Sequence, residues 1–154
     1  SELSAFSPGV LGQTGIETLE LLRGAVGSVR PNLAVVVDAL AARSCSRLAS
    51  TVQISDSGIV PGSGVGNHRT AITSETLGVP VIALGVPTVV NSATLVWDVL
   101  KEAHIGEVSD ELRAVLENGK SFFVSPKESD LISDAVARLL ADAISEAFIG
   151  EMPF

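Results

Sequence analysis

Five apolar residues, Leu33–Val37, run without interruption into a single aspartate, Asp38. A short apolar run rich in β-branched valine reads as a strand buried on both faces, the kind that fills parallel sheets. Pro31-Asn32 gives the run a sharp start. The apolar pattern stops at the carboxylate, so the strand is expected to end there. In open α/β sheets ligands bind outside the carboxyl ends of the strands, which puts Asp38 on a rigid support where chemistry takes place. An aspartate at such a point also caps turns and helices, and position alone leaves both readings open.

The pattern around this strand is that of an α/β domain. Thr14 with Glu17 has capping-box spacing, and Ile16, Leu19, Leu22 and Val26 then recur at helical spacing to about Ser28. After Asp38 the small, Ala-rich stretch Ala39–Arg47 reads as a helical turn. Thr51–Ser55 alternates apolar and polar residues, as a half-buried or edge strand does. Ser57–Arg69 is a loop of Gly, Ser and Pro, and Ser74–Leu77 a helical turn. Val79–Leu84 is a second buried-type strand, with Gly85–Thr88 as the turn that ends it. Asn91 or Ser92 caps a helix carrying Leu95, Val96, Val99 and Leu100, and Ser109 opens another that Asn118-Gly119 closes. Phe122–Val124 reads as a short strand, and Pro126 leads into a last helix with Leu131, Ile132, Val136, Leu139, Leu140 and Ile144 on one stripe. Strands alternating with helices imply a mostly parallel sheet with helices on both faces. The 154 residues form one domain's worth of chain, read as a single α/β domain over 1–154.

Composition removes several classes of function. A net charge of −8 argues against direct binding to nucleic acid, which needs a basic face. No uninterrupted apolar segment is long enough to cross a bilayer, and the first residues lack the basic and apolar regions of a secretory signal. The single cysteine, Cys45, excludes an internal disulfide and fits a reducing compartment. With aromatics at 4%, the core must be built from Val, Leu, Ile and Ala.

Pro61-Gly-Ser-Gly-Val-Gly66 resembles a phosphate loop but has neither the G-x-G-x-x-G spacing nor a following Gly-Lys-[Ser/Thr]. Its glycines can still form an N–H nest for an anion or carbonyl, or hold an extended peptide near Asp38. Ser55, Asp56, Gly62, Gly64, Gly66 and His68 are therefore the candidates for binding substrate. The two histidines, His68 and His104, lack the Gly-x-Ser-x-Gly elbow of a hydrolase triad. Asp38, Asp56 and His68 could converge on a metal, but no local ligand spacing supports one, and no metal or cofactor is expected. Acid–base hydrolysis by two carboxylates needs one ionised and one protonated across a shared water. Asp38 suits one role. Asp56 lies in a turn-like Ser-Asp-Ser-Gly, while Asp98, Asp110, Asp130, Asp134 and Asp142 lie on helical, solvated faces, so no second partner stands out.

Two runs together, Val37-Asp38-Ala-Leu-Ala-Ala-Arg43 and Thr51–Arg69, closely resemble the germination proteases of spore-forming bacteria. The resemblance extends to Pro8–Thr18, Glu75–Val90 and Ser125-Pro-Lys-Glu128. It implies an aspartic-type endopeptidase with two essential aspartates. One is matched by Asp38; the other belongs to an upstream motif that no position here matches. It further implies a longer zymogen that processes itself, a homotetramer, and degradation of small acid-soluble spore proteins in the cytoplasm of the forespore or spore core. The fold implied is a three-layer α/β/α sandwich similar to the hydrogenase maturation proteases. On this reading the chain is the carboxyl-terminal part of such an enzyme, expected to be inactive alone. The alternatives are a non-catalytic α/β module whose Gly62–Gly66 loop holds an anion or peptide, and a metal-dependent maturation-type enzyme.

Overall fold

The computed structural model describes residues 2–66 and 69–150. In chain order these form helices α1 (Leu11–Thr14) and α2 (Thr18–Val29), strand β1 (Ala34–Ala42), strand β2 (Gln53–Ser55), helix α3 (Ser74–Leu77) and strand β3 (Val81–Asn91). Helices α4 (Ser92–Glu102) and α5 (Asp110–Asn118), strand β4 (Phe123–Val124) and helix α6 (Ser129–Ile149) follow. Single 3-10 turns lie at Cys45–Arg47 and Ser63–Val65.

The sheet is built on β3. Along one edge β3 pairs in parallel with β1, from Ala34 opposite Val81 to Ala42 opposite Val90. Its other edge takes β2, antiparallel with Ile54 opposite Leu84, and β4, antiparallel with Val90 opposite Val124. The sheet is thus mixed, and the expectation of a mostly parallel sheet holds only for its longest pairing. The connection from β1 to β2 explains this. It contains only a 3-10 turn, meets β3 within the strand, where the Ala49 N–H donates to the Pro87 carbonyl at 2.8 Å, and never returns to the start of the sheet. A parallel neighbour needs a crossover that carries the chain back.

Both long strands run further than their apolar patterns suggest. Ala39–Ala42 continues β1 instead of forming a helical turn, and Gly85–Thr88 lies inside β3 instead of ending it. Each supplies the other's ladder, so pairing overrides the helix preference of Ala-Leu-Ala-Ala. Pro87, which has no N–H to donate, is accommodated by a register slip: Leu40 faces Pro87, but Ala41 faces Val89, leaving Thr88 as the extra residue of a bulge. Gly85 has a different role, because a Cβ there would overlap Leu40 Cδ1, 2.2 Å away. Without it, Leu40 lies across the central strand.

On one face of the sheet the core joins Leu19 of α2, Leu77 of α3, Ile72 and Val81, with Leu22, Val26, Ala34 and Val36 packed around them. On the other face Ile132, Val136 and Leu140 of α6 stand over Val37, Ala39, Val86 and Thr88, leaving an apolar groove of about 300 Å³. Among the described residues nothing pairs with the outer edge of β1, and Val37 on that strand is 50% exposed.

Thr14 does not open α2; it ends α1, where Gly15 turns left-handed at φ 68°, and Glu17 precedes α2 with no side-chain cap. A reciprocal box forms instead at α3, with the Thr76 N–H donating to Thr73 Oγ1 at 3.2 Å and the Thr73 N–H to Thr76 Oγ1 at 2.9 Å. Asn91 caps α4 through the Ala93 N–H and Ser109 caps α5 through the Leu112 N–H, as the sequence suggests.

One seam is tight enough to test. Ile59 and Ile72 exchange backbone hydrogen bonds of 2.9 and 2.8 Å, closing the base of the glycine-rich loop. Beside them Gly58 sits at φ 88°, where a Cβ would meet the Ile72 carbonyl oxygen at 2.2 Å. Gly58→Ala is expected to cost about 3 kcal/mol, a left-handed penalty plus overpacking against backbone. Gly78→Ala, also at positive φ but with nothing within 4 Å of the new Cβ, is expected to cost only about 1 kcal/mol. Urea unfolding of both variants checks this; equal losses would show that the seam is not close-packed.

Candidate active site

Asp38 is not at the end of its strand. It lies in the middle of β1, with Ala39–Ala42 still to come, and opposite Gly85 of β3, which in turn faces Gln53 of β2. Side chains alternate along a strand and agree across a rung. The carboxylate therefore shares a face with Val36, Leu40 and the bare Gly85, the face covered by α2 and α3. Asp38 Oδ2 is shielded from solvent and has no hydrogen-bond partner among the described residues. Burial pushes the Asp38 carboxyl above the ordinary carboxylate range, opposed by the Ala39 backbone N–H and by the Arg69 guanidinium nearby. The apolar groove beneath α6 touches the Asp38 residue as well, but alternation turns the carboxylate away from it.

The glycine-rich loop comes to β1. Gly62 and Gly66 are left-handed at φ 69° and 77° on either side of the Ser63–Val65 turn. Gly64 presses its backbone onto the strand, so that a Cβ would lie 2.7 Å from Ala41 Cβ. Of the three candidate glycines, Gly64 lies against β1 at Ala41, three residues beyond Asp38, and Gly62 and Gly66 flank it in the loop. Ser55 and Asp56 do not join them. Ser55 ends β2 opposite Ala83, with its hydroxyl 2.6 Å from that of Ser57, and β3 separates it from β1 by two strand spacings, roughly 10 Å. Asp56 is exposed in the turn that follows. His68 lies outside the described residues. Among the described residues no three His, Cys, Asp or Glu side chains gather in a way that could hold a metal ion.

Two residues that periodicity and motif did not single out matter here. Arg69 returns from the loop half-buried and is the charged side chain acting on Asp38. Asp98, expected on a solvated helix face, reaches from α4 to accept the Cys45 N–H at 2.6 Å, tying α4 to the turn that leaves β1. That bond holds the Asp98 carboxyl below its ordinary value, while burial and Asp98 together push the Cys45 thiol up. Cys45 is therefore a protonated, structural thiol and not a nucleophile.

Fold and site together define a mixed α/β domain with a strand-borne, partner-poor carboxylate next to a glycine-rich loop. The family model described as germination protease matches residues 1–116, and the chain belongs to that family. It is 46% identical over 94% of its length to a germination protease of Caldanaerobacter subterraneus subsp. tengcongensis, covering 52% of that protein. It is 44% identical over 93% of its length to one of Clostridium acetobutylicum, covering 50% of it. Over 62% of the chain it is 54% identical to the germination protease of Bacillus subtilis, of which it covers 26%. The chain thus spans about half the length, or less, of these curated relatives. Helix α6 lies beyond the part matched by the family model.

The two aspartates should respond to acid with opposite signs. The folded state holds the Asp38 proton more tightly than the unfolded chain does, so ionised Asp38 weakens the fold as pH rises from the ordinary range near 3.9. Asp38→Asn is expected to melt at or above the wild-type temperature at pH 7, with the gain fading toward pH about 4. The lowered Asp98 contributes stability above the ordinary range that is lost as pH falls through its depressed value. Asp98→Asn should therefore melt lower at pH 7 and converge on wild type in acid. Thermal melts across that range decide it, and the same sign for both variants would contradict the two environments.

Proposed function

We propose that this chain is the part of a germination-type aspartic endopeptidase that carries one member of its catalytic aspartate pair, Asp38. The observation that carries the reading is the shielded Oδ2 of Asp38, without a hydrogen-bond partner among the described residues, mounted mid-strand on the longest ladder of the sheet, in a chain of the germination protease family. A buried carboxylate without a partner costs stability, and perturbed carboxyls of this kind collect where chemistry is done.

In this reading ionised Asp38 takes a proton from the water that attacks the scissile carbonyl. A protonated carboxyl from outside this chain delivers a proton to the departing amine. The substrates are the small acid-soluble spore proteins, degraded at germination in the cytoplasm of the spore core, and the enzyme is made as a zymogen and works as a homotetramer. Substrate main chain lies along the loop, held by Gly62, Gly64 and Gly66, with Ser55, Asp56 and His68 as further contacts. The closeness of Gly64 to β1 supports the first part of that assignment. The complete sheet belongs to an α/β/α sandwich, a reading supported by α2 and α3 on one face and α6 on the other. No helix of the described residues is long and apolar enough to cross a membrane.

The test uses the full-length protein and the chain side by side on a purified small acid-soluble spore protein, followed by intact mass. Full-length Asp38→Asn is expected to lose at least about two orders of magnitude in rate while keeping its fold. The chain alone, with one carboxyl of the pair, is expected to leave the substrate intact over hours. Cleavage by the folded Asp38→Asn protein would sink the assignment. Binding of substrate to the loop with no cleavage by any form would favour the non-catalytic module.

A further inference from the structure

We propose that Leu40, seated in the space that Gly85 leaves open, is a positioning residue for Asp38: its methyl groups wall the carboxylate on its cross-strand side and exclude water from that side. This rests on the reading of Asp38 as the catalytic carboxylate. The placement follows from the ladder. Asp38 and Gly85 share a rung of β1 and β3, so their Cβ positions point to the same face, one strand spacing, about 5 Å, apart. Gly85 has no Cβ, and the point where one would lie is filled by Leu40. Its Cδ1 overlaps that point, with Cγ at 3.0 Å and Cδ2 at 3.7 Å from it. The rung partner of Leu40 itself is Pro87. The Leu40 side chain therefore leans back from the Pro87 rung to the Gly85 rung. There it takes the place of the side chain that would stand opposite Asp38.

Leu40 is not a core residue. The buried cluster on this face is Leu19, Ile72, Leu77 and Val81, with Ala34 and Val36 of β1 packed against it. Leu40 stands outside that cluster and is half-buried. Its reach toward Gly85 encloses a charge instead. Asp38 Oδ2 is shielded and has no hydrogen-bond partner among the described residues. A side chain at position 85 with a donor could supply one; a leucine methyl cannot, and it excludes water that could. The charged groups around this face do not take over that role. Neither β2 nor β3 carries a charged residue. Arg23 of α2 donates to the Thr76 carbonyl at 2.7 Å, Glu17 is the N-cap of α2, and Glu20 and Glu75 are exposed. Arg43 and Arg47 are exposed past the end of β1, and Arg69 favours the ionised carboxyl, against the effect of burial. A carboxylate walled by hydrocarbon holds its proton more tightly, which makes it a stronger base toward the attacking water.

The experiment compares Leu40→Ala, Leu40→Val and Leu40→Met. Alanine and valine lack the Cδ atoms that reach Gly85, whereas methionine conserves the volume and restores the reach. In the chain itself, the Asp38 side-chain carboxyl carbon is titrated by NMR, its signal assigned by its loss in Asp38→Asn. Leu40→Ala is expected to lower the midpoint by about one pH unit as water regains one side of the carboxylate. Leu40→Val should lower it in the same direction, and Leu40→Met should leave it at the wild-type value. In the full-length protein, Leu40→Ala should move the acid limb of the kcat/KM profile down by the same amount. It should also lower kcat about threefold near neutral pH, the response to a weaker base, with Leu40→Met recovering both. An unmoved midpoint in a folded Leu40→Ala chain overturns the proposal, as does a rise in KM alone, which would make Leu40 a substrate contact. If Leu40→Ala does not fold, Leu40→Val decides: a lowered midpoint supports the proposal and an unmoved one overturns it. A lowered midpoint in Leu40→Ala with cleavage intact in Asp38→Asn would instead refute the catalytic reading of Asp38 and leave Leu40 standing as the wall of its carboxylate.

Discussion

The parallel ladder between β1 and β3 is the constraint to which the other elements are fitted. Two Val-rich runs satisfy each other's backbone groups from Ala34–Val81 to Ala42–Val90, and backbone groups in a buried sheet must be satisfied somewhere. That demand turns Ala-Leu-Ala-Ala into strand against its own preference and carries β3 through a glycine and a proline. It also decides where helices can go. Val36 and Val81 need cover on one face and receive α2 and α3, while Val37, Ala39 and Val86 on the other are met by α6.

The same ladder explains the position of Asp38. A carboxylate in the interior of a strand cannot swing away from its rung as one on a loop can, because the residues on both sides are locked in pairing. Gly85 opposite offers no side chain to partner it, and Leu40 closes the space that glycine leaves. The glycine-rich loop reaches the same strand three residues further on, where the Gly64 backbone meets Ala41. Rigidity of the carboxylate and adaptability of the loop are complementary requirements for a group that must meet a changing partner.

Much of this was readable from the sequence, in the parts where local physics decides. The starts of both long strands, the caps at Asn91 and Ser109, the stop at Asn118-Gly119 and the existence of α6 follow from residues within a few positions of one another, though of its expected stripe Leu131 and Leu139 are exposed. The ends of β1 and β3 did not, because neither Ala39–Ala42 nor Gly85–Thr88 contains a strand signal; each becomes a strand only through a partner about 45 residues away in sequence. The antiparallel β2 is a matter of connection, not composition. Thr14 and Glu17 have the spacing of a capping box, but Gly15 between them takes the left-handed turn that ends α1. Asp98 was hidden for the same reason as the strand ends, since the N–H it caps is 53 residues distant.

Asp38 and Asp98 show how one residue type divides between structure and chemistry within a single domain. Asp98 sits where its charge is answered: a backbone N–H at 2.6 Å, an end of a turn to cap, and a thiol beside it that stays protonated as a consequence. Its ionised form is the one the fold prefers, and replacing it removes a tie between α4 and β1. Asp38 sits where its charge is answered incompletely, with one oxygen shielded and without a hydrogen-bond partner among the described residues. A fold selected for stability alone would place a small apolar residue there, as it does at Ala39, Ala41 and Ala42 along the same strand. Retaining a carboxylate at that rung makes the domain less stable than it could be, and local departures of this kind from the rules that govern the rest of a chain mark the places where function competes with stability. By that criterion Asp38, and not the well-satisfied Asp98, is the carboxylate to which we propose assigning the chemistry.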